Sequence, residues 1–331
     1  MKIMFFAHDP GGANSIFPLA DLLSKNHEIY LFAKGPALKR EERAKAYNGE
    51  LSQIMPDILI TGTSANDFTE KNLWKEAKAL NIKTIAVLDH WMNYGIRFSK
   101  WGIKDKDKFD KTCDYLPDYI IVMDEYAKSE MAKDGVPEDI IYSLGNPHFQ
   151  EIFENSKKIK DVRPKFAKDN ETLITFASEP YIEDYGSGEE KNVLRDIIKA
   201  LEGEKNIKIA VKLHPKEEFS KYKEFESERV ILTKDTTPSE IIKASDVVIS
   251  MTSMFLIESI ILNKKTISYQ LNREKDDFFV LTQKGDLPFI NNFDDFKREL
   301  ILKLYSKEDL GYNKLIDINA KERIIKFIEE I

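Results

Sequence analysis

The 331-residue chain is 42% apolar and 32% charged, enough apolar material for real cores and no sign of global disorder. Its formal charge of −7 gives nucleic-acid binding no general electrostatic support, so no nucleic-acid partner is expected. Cys113, the only cysteine, excludes an intrachain disulfide and a thiolate zinc cluster, and the five histidines form no metal-ligand spacing, so no metal is expected. No run approaches 18 apolar residues, so no transmembrane span is expected. A cytoplasmic protein is the expectation, with peripheral contact at the inner face of a membrane and the oligomeric state left open.

In chain order, MKIMFFAH predicts a buried strand and residues 15 to 25 the helix behind it, with HEIYLFAKG as a second strand. A charged, helix-prone segment covers 37 to 54. The strand DILITGTS, a polar helix around Asn72 to Leu80, and the strand KTIAVLDHW follow. DYIIVMDEYAKSEMAKDG gives another strand and helix, and IIYSLGNPHF closes the series. Residues 154 to 170 are polar, carry Pro164 and lack an apolar face, which marks a linker. The pattern restarts with TLITFASEP, a helix over 188 to 202, IKIAVKLHP, RVILTKD, the helix PSEIIKAS and DVVISMTS. The helix MFLIESIILNKK, the strand KTISYQL and a helical stretch from Asp294 to Ile331 complete it.

Short apolar strands alternating with helices predict α/β domains with parallel sheets covered on both faces. Two Rossmann-like domains facing a cleft are expected: 1–155, a linker at 156–170, and 171–331, whose last helix is free to pack back on the first domain. Ligands of such sheets sit beyond the carboxyl ends of the strands, so the residues there are the candidates.

The first strand runs into His8, Asp9, Pro10, Gly11 and Gly12, with Asn14 or Ser15 placed to cap the next helix. Paired glycines let the backbone approach a ligand closely, and Asp9 or His8 can move a proton. The spacing is neither GxGxxG nor a P-loop. AVLDHWMNYGIRF presents Asp89 and His90 as further candidate bases, and Trp91, Asn93, Tyr94 and Arg97 suit a sugar ring or a flat base. Adjacent residues of an extended chain point apart, so only one of Asp89 and His90 faces a given atom unless the chain turns. His148, in SLGNPHF, is weighed evenly between structure and function.

In the second half, VKLHPK groups Lys212, His214, Pro215 and Lys216 at a strand end, where imidazole and ammonium groups can take phosphate oxygens. Ser250, Thr252 and Ser253 bring hydroxyls to a helix start, a phosphate nest, and Glu258 lies a turn further on, within reach of a ribose. Ser178 and Glu179, after the strand TLITFA, are candidate ligand contacts.

With these motifs the chain resembles the two-domain GT-B glycosyltransferase superfamily over nearly its full length. It is nearest to bacterial HP-motif polysaccharide transferases: CDP-glycerol glycerophosphotransferases, capsule transferases and sialyltransferases; nucleotide-sugar 2-epimerases share the architecture. The resemblance implies that His214 and Pro215 form the HP motif, its histidine on the donor phosphate. It places Ser250, Thr252 and Ser253 on the same phosphate, Glu258 near the ribose, and the DPGG loop on the acceptor side. It implies no dinucleotide cofactor; a CDP-, CMP- or UDP-linked donor is a substrate.

The expected function is transfer of a sugar or alditol phosphate from that donor to a surface-polysaccharide acceptor, as in capsule biosynthesis. Asp9, His8, Asp89, His90 and His214 would be catalytic, and Ser178, Glu179, Lys212, His214, Pro215, Ser250, Thr252, Ser253 and Glu258 would hold the donor. Gly11, Gly12, Asn14, Trp91, Asn93, Tyr94 and Arg97 would hold the saccharide acceptor. The alternatives are a nucleotide-sugar 2-epimerase or hydrolase, and a non-catalytic sugar- or nucleotide-binding module.

Overall fold

A computed structural model describes residues 1–186, 188–273, 277–306 and 315–331. It divides into two compact units, Met1–Glu151 with Asp317–Ile331, and Ile152–Ile316. The strands of unit 1 are β1 (Lys2–Ala7), β2 (Glu28–Ala33), β3 (Lys45–Ala46), β4 (Ile58–Thr61), β5 (Lys83–Val87), β6 (Tyr119–Val122) and β7 (Ile141–Ser143). They form a parallel sheet in the order β3-β2-β1-β4-β5-β6-β7. Unit 2 has β8 (Thr172–Ala177), β9 (Ile207–Lys212), β10 (Val230–Thr233), β11 (Val247–Ser250) and β12 (Lys265–Ser268). Its sheet is also parallel, in the order β10-β9-β8-β11-β12. Both units are thus Rossmann-like α/β layers, the fold class expected from the sequence.

The helices between the strands of unit 1 are α1 (Pro10–Leu23), α2 (Leu51–Ile54), α3 (Thr69–Ala79) and α4 (Glu125–Lys133); α5 (Pro147–Asn155) follows β7 and runs across the boundary into unit 2. Those of unit 2 are α6 (Tyr181–Tyr185), α7 (Glu190–Ala200), α8 (Pro238–Ala244), α9 (Met254–Ile261), α10 (Val280–Gln283) and α11 (Phe293–Tyr305). The last helix, α12 (Lys321–Glu330), belongs to unit 1.

Burial explains why the strands read as continuous apolar runs. On β1, Ile3, Phe5 and Ala7 join one buried cluster, and Met4 and Phe6 join another on the opposite face. A half-exposed strand would have alternated with polar residues. Phe5 is fully buried, and truncating such a ring to alanine costs about 3–5 kcal/mol. Ala320, the N-cap of α12, and Ile324 and Ile328 within it, at the spacing of one helix face, pack into the cluster that holds Ile3 and Phe5.

Three expectations differ in detail. α1 begins at Pro10 rather than near residue 15. Proline at the first helical position has its φ preset and needs no N–H there, so the glycines are wound into the first turn. The segment 37–54, expected as helix, holds a 3₁₀ turn (Gly35–Lys39), the two-residue β3 and the four-residue α2. With no apolar stripe it has nothing to bury as a long helix. The stretch from Asp294 is helical in α11 and α12, and 307–314 between them lies outside the described residues.

Candidate active site

In unit 1 the carboxyl ends of β1, β4 and β5 are neighbours in the sheet, and their following residues meet. Asp9 is the N-cap of α1, yet its side chain makes no cap bond; it turns to His8, whose Nδ1 lies 2.8 Å from Asp9 Oδ1. These adjacent residues meet because the chain leaves the strand and enters the helix between them. On the other side of the ring, His8 Nε2 lies 3.4 Å from Asp67 Oδ2. Asp9 is the more exposed of the His8–Asp9 pair, at 42% of its side-chain surface against 19% for His8.

Gly11 and Gly12 shape this corner by what they leave out. A Cβ on Gly11 would lie 2.0 Å from Asp89 Oδ2, and one on Gly12 would lie 3.1 Å from the Gly62 Cα. The first glycine makes room for a carboxylate, the second for the backbone after β4. Asp89 is held by Arg97, whose Nη1 donates to Asp89 Oδ1 at 2.9 Å and to Thr63 Oγ1 at 3.1 Å, and also to the Thr63 carbonyl. Arg97 is thereby 7% exposed, a clamp on Asp89 rather than a free cation.

The remaining unit 1 candidates are placed as follows. Burial pulls the His90 imidazole down to about 4, and its buried Nδ1 has no hydrogen-bond partner among the described residues. Trp91 is buried, stacks on Phe149 at 5.5 Å and donates its indole N–H to Asp124 at 3.1 Å, so it shows no ring face for stacking a sugar. Tyr94 is also buried, and burial raises its hydroxyl pKa. Asn93 takes a left-handed turn at φ +56°. Asn14 stands beside Arg40 and Arg43 in a small surface cavity. Ser15 is inside α1, its hydroxyl donating to the Gly11 carbonyl at 3.0 Å. His148 is half-buried in α5 with its Nδ1 shielded from solvent, and desolvation, with Arg40 nearby, holds it near 4.

Glu70 escaped the sequence reading. It lies in the first turn of α3, 1% exposed, and its carboxyl accepts the backbone N–H of His8 at 3.2 Å and that of Ser64. Burial pushes it up to about 8, against the pull of these two donors, with Asp9 and Asp89 adding to the rise. It ties the chain after β1 to the chain after β4. The signal was a hydroxyl-rich strand end, TGTS, followed by an acid at a helix start.

Unit 2 brings its candidates to two places. Glu179, Ser250 and Thr252 form one. Glu179 Oε1 accepts from Ser250 Oγ (2.9 Å), the Met251 N–H (2.9 Å) and the Thr252 N–H (2.7 Å), and Oε2 accepts from Thr252 Oγ1 at 2.8 Å. Ser253 is the N-cap of α9, its hydroxyl accepting the Phe255 N–H at 3.2 Å, and Glu258 lies on the same helix. The hydroxyl-rich turn after β11 thus gives its donors to a carboxylate of the protein itself, Glu179, and Ser253 takes no part in that set.

The second place is built on Glu217, missed in the sequence. Its Oε2 accepts the His214 N–H at 2.7 Å, and its Oε1 accepts the Ser178 hydroxyl at 2.6 Å. His214 Nδ1 accepts the Lys216 N–H at 3.2 Å, which leaves Nε2 to carry the ring proton, and burial lowers its pKa. Lys212 donates to the Lys234 carbonyl at 2.9 Å and Lys216 to Asp184 at 2.6 Å; the Pro215 carbonyl accepts from Lys234 at 3.2 Å. Beside them Glu183, Glu190 and Glu217 converge, and the Lys221 ammonium lies 2.6–2.8 Å from all three. Burial opposes the charge on Lys221, but the three carboxylates outweigh it and its pKa stands above the ordinary lysine value.

No protein-family model matches the sequence, and no curated protein is matched. Solved structures do match along the whole chain. A putative UDP-N-acetylglucosamine 2-epimerase from Listeria monocytogenes aligns with a TM-score of 0.74 at 12% identity, covering 99% of this chain and 96% of that one. The UDP-GlcNAc 2-epimerase of Neisseria meningitidis bound to UDP-GlcNAc gives 0.72 at 13% identity, with full coverage of both chains. Anabaena Alr3699/HepE in complex with UDP gives 0.65 at 11%, again over both full lengths. The chain therefore has the GT-B-like fold of these proteins.

These likenesses correct the main functional expectation. Transfer to a polysaccharide acceptor rested on the HP motif and the hydroxyl-rich turn, both on the nucleotide side of the resemblance. Such features carry no information about an acceptor, and the two enzymes matched above are epimerases, the alternative reading. The resemblance to the named transferase families is not supported.

Proposed function

We propose that the protein acts on a UDP-linked sugar, as a 2-epimerase. The observation that carries the reading is full-length likeness to 2-epimerases, one of them bound to UDP-GlcNAc. Supporting it, unit 1 has a part-exposed acid–imidazole pair at a strand end, and unit 2 has a strand-end histidine and a hydroxyl-rich helix start.

Inverting C2 requires breaking the C2–H bond. A sugar with a phosphate leaving group on C1 permits this without a redox step. A base takes the C2 proton, the C–H pair becomes the C1=C2 bond, and the nucleoside diphosphate departs with the C1–O pair. Protonation of C2 from the opposite face and return of the diphosphate oxygen to C1 complete the inversion. Asp9, oriented by His8, is the assigned base, and Asp89, fixed by Arg97, is the second candidate for that role. The donor Nε2–H of His214 suits the charge on the departing phosphate. Glu258 is assigned to the ribose.

Incubation with UDP-GlcNAc in D₂O tests the assignment. The expected products are the two C2 epimers of the nucleotide sugar, both carrying deuterium at C2. Free sugar and UDP without deuterium at C2 would establish the hydrolase instead. No product and no binding would remove the nucleotide-sugar assignment.

A further inference from the structure

We propose that Glu179 is an internal competitor for ligand phosphate: its carboxylate fills the anion nest in the turn leading into α9, and a nucleotide phosphate binds there by displacing it. The proposal rests on the assignment of the nucleotide to unit 2.

Two consecutive backbone N–H groups and two hydroxyls, those of Met251, Thr252 and Ser250, converge on this one side chain. That donor set, in the turn leading from β11 into α9, suits a phosphate as well as a carboxylate. Two anions cannot share it, so the carboxylate and the phosphate exclude each other.

The nest is also built to release its occupant. The Ser250 hydroxyl lies 2.6 Å from the Ala177 carbonyl oxygen, and the Thr252 hydroxyl lies 2.7 Å from the Tyr181 hydroxyl. Both hydroxyls therefore retain a partner when Glu179 swings out. What its departure exposes are the N–H groups of Met251 and Thr252, which the incoming phosphate satisfies. Glu179 itself sits in the short connection between β8 and α6, outside both elements, so its movement disturbs no ladder of hydrogen bonds. The Arg273 guanidinium, held 5.5 Å from the centre of the Tyr181 ring, adds positive charge beside the Tyr181–Thr252 contact.

Calorimetric titration of pyrophosphate and of UDP into the wild type, Glu179→Gln and Glu179→Ala tests the proposal. Both variants should bind both ligands more tightly, about ten- to a hundredfold, because the ligand no longer breaks charge-assisted hydrogen bonds to enter. The gain should be larger for Glu179→Ala, which leaves no side chain to displace. Wild-type binding of UDP with no gain in either variant overturns the competitor role while sparing the nucleotide assignment. Absence of binding in all three proteins overturns both. A measurement on the wild type alone guards against unfolding of the variants: the Met251 and Thr252 amide resonances must move on saturation with pyrophosphate. Unmoved amides overturn the proposal.

Discussion

Gly11 and Asp89 share one space: a Cβ at residue 11 would stand 2.0 Å from the Asp89 Oδ2 atom. The first turn of α1 and the end of β5 are therefore fitted to each other through a missing side chain. Alanine is the better helix former by about 1 kcal/mol, but separating the nearly buried Asp89–Arg97 pair costs more, so Gly11→Ala should unfold below the wild-type temperature. Its cost should fall on Asp89, which must leave its place beside Arg97. Turnover of UDP-GlcNAc should drop roughly a hundredfold, the effect of an ångström-scale misplacement of a reacting group. Adding Asp89→Ala to Gly11→Ala should cost little more, because the first change has already removed the carboxylate from use. Fully additive losses in that double variant would separate the two residues.

Asp9→Asn keeps the shape of the side chain and removes its capacity as a base. Turnover should fall roughly 10²–10⁴-fold, the usual contribution of a positioned acid or base. UDP affinity, assigned to unit 2, should stay at the wild-type value. Solvent deuterium exchange at C2 measures the first and calorimetry the second. Wild-type exchange in Asp9→Asn would transfer the role of base to Asp89.

His214→Ala should weaken UDP binding about ten- to a hundredfold through loss of one hydrogen bond to a charged group. His214→Gln, which restores an N–H donor, should recover part of the loss. Equal affinities for wild type and His214→Ala would remove this residue from the phosphate site.

The buried titratable groups of unit 1 set two opposed pH limbs. Glu70 keeps its proton to about pH 8 in the folded chain against about 4.5 when unfolded. The native state thus binds more protons in that window; the contribution to stability is complete below about 4.5 and is lost as pH rises toward 8. His90 and His148 do the reverse. Folding lowers them from 6.5 to about 4, so their contribution is complete above 6.5 and is lost as pH falls toward 4. Denaturant unfolding at pH 5, 6.5 and 8 should show a flatter alkaline limb for Glu70→Gln and a flatter acid limb for His90→Asn. Parallel curves for variant and wild type would refute these assignments.

Much of the fold was open to reading because the strands are buried on both faces. Ile3 to Ala7 and Val247 to Ile249 are unbroken apolar runs, and local composition is sufficient to mark such strands. The parallel order of the sheets follows from their alternation with helices, and the candidate residues after β1, β5, β9 and β11 follow from that order. The start of α1 was misread because two glycines look alike in a turn and in a helix that must pass close to another chain segment.

The sequence by itself determined the α/β class and which segments end at the carboxyl edge of a sheet, since both depend on short-range hydrophobic periodicity. Only the tertiary structure decided what each polar residue does there. Trp91 and Arg97 are spent on Phe149, Asp124, Thr63 and Asp89; Glu70 is buried under His8 and Ser64; and Glu179 lies in the nest formed 71 to 73 positions later in the chain. These partners are far apart in the chain, and a hydrogen bond depends on the separation of two atoms in space, which no local pattern of residues encodes.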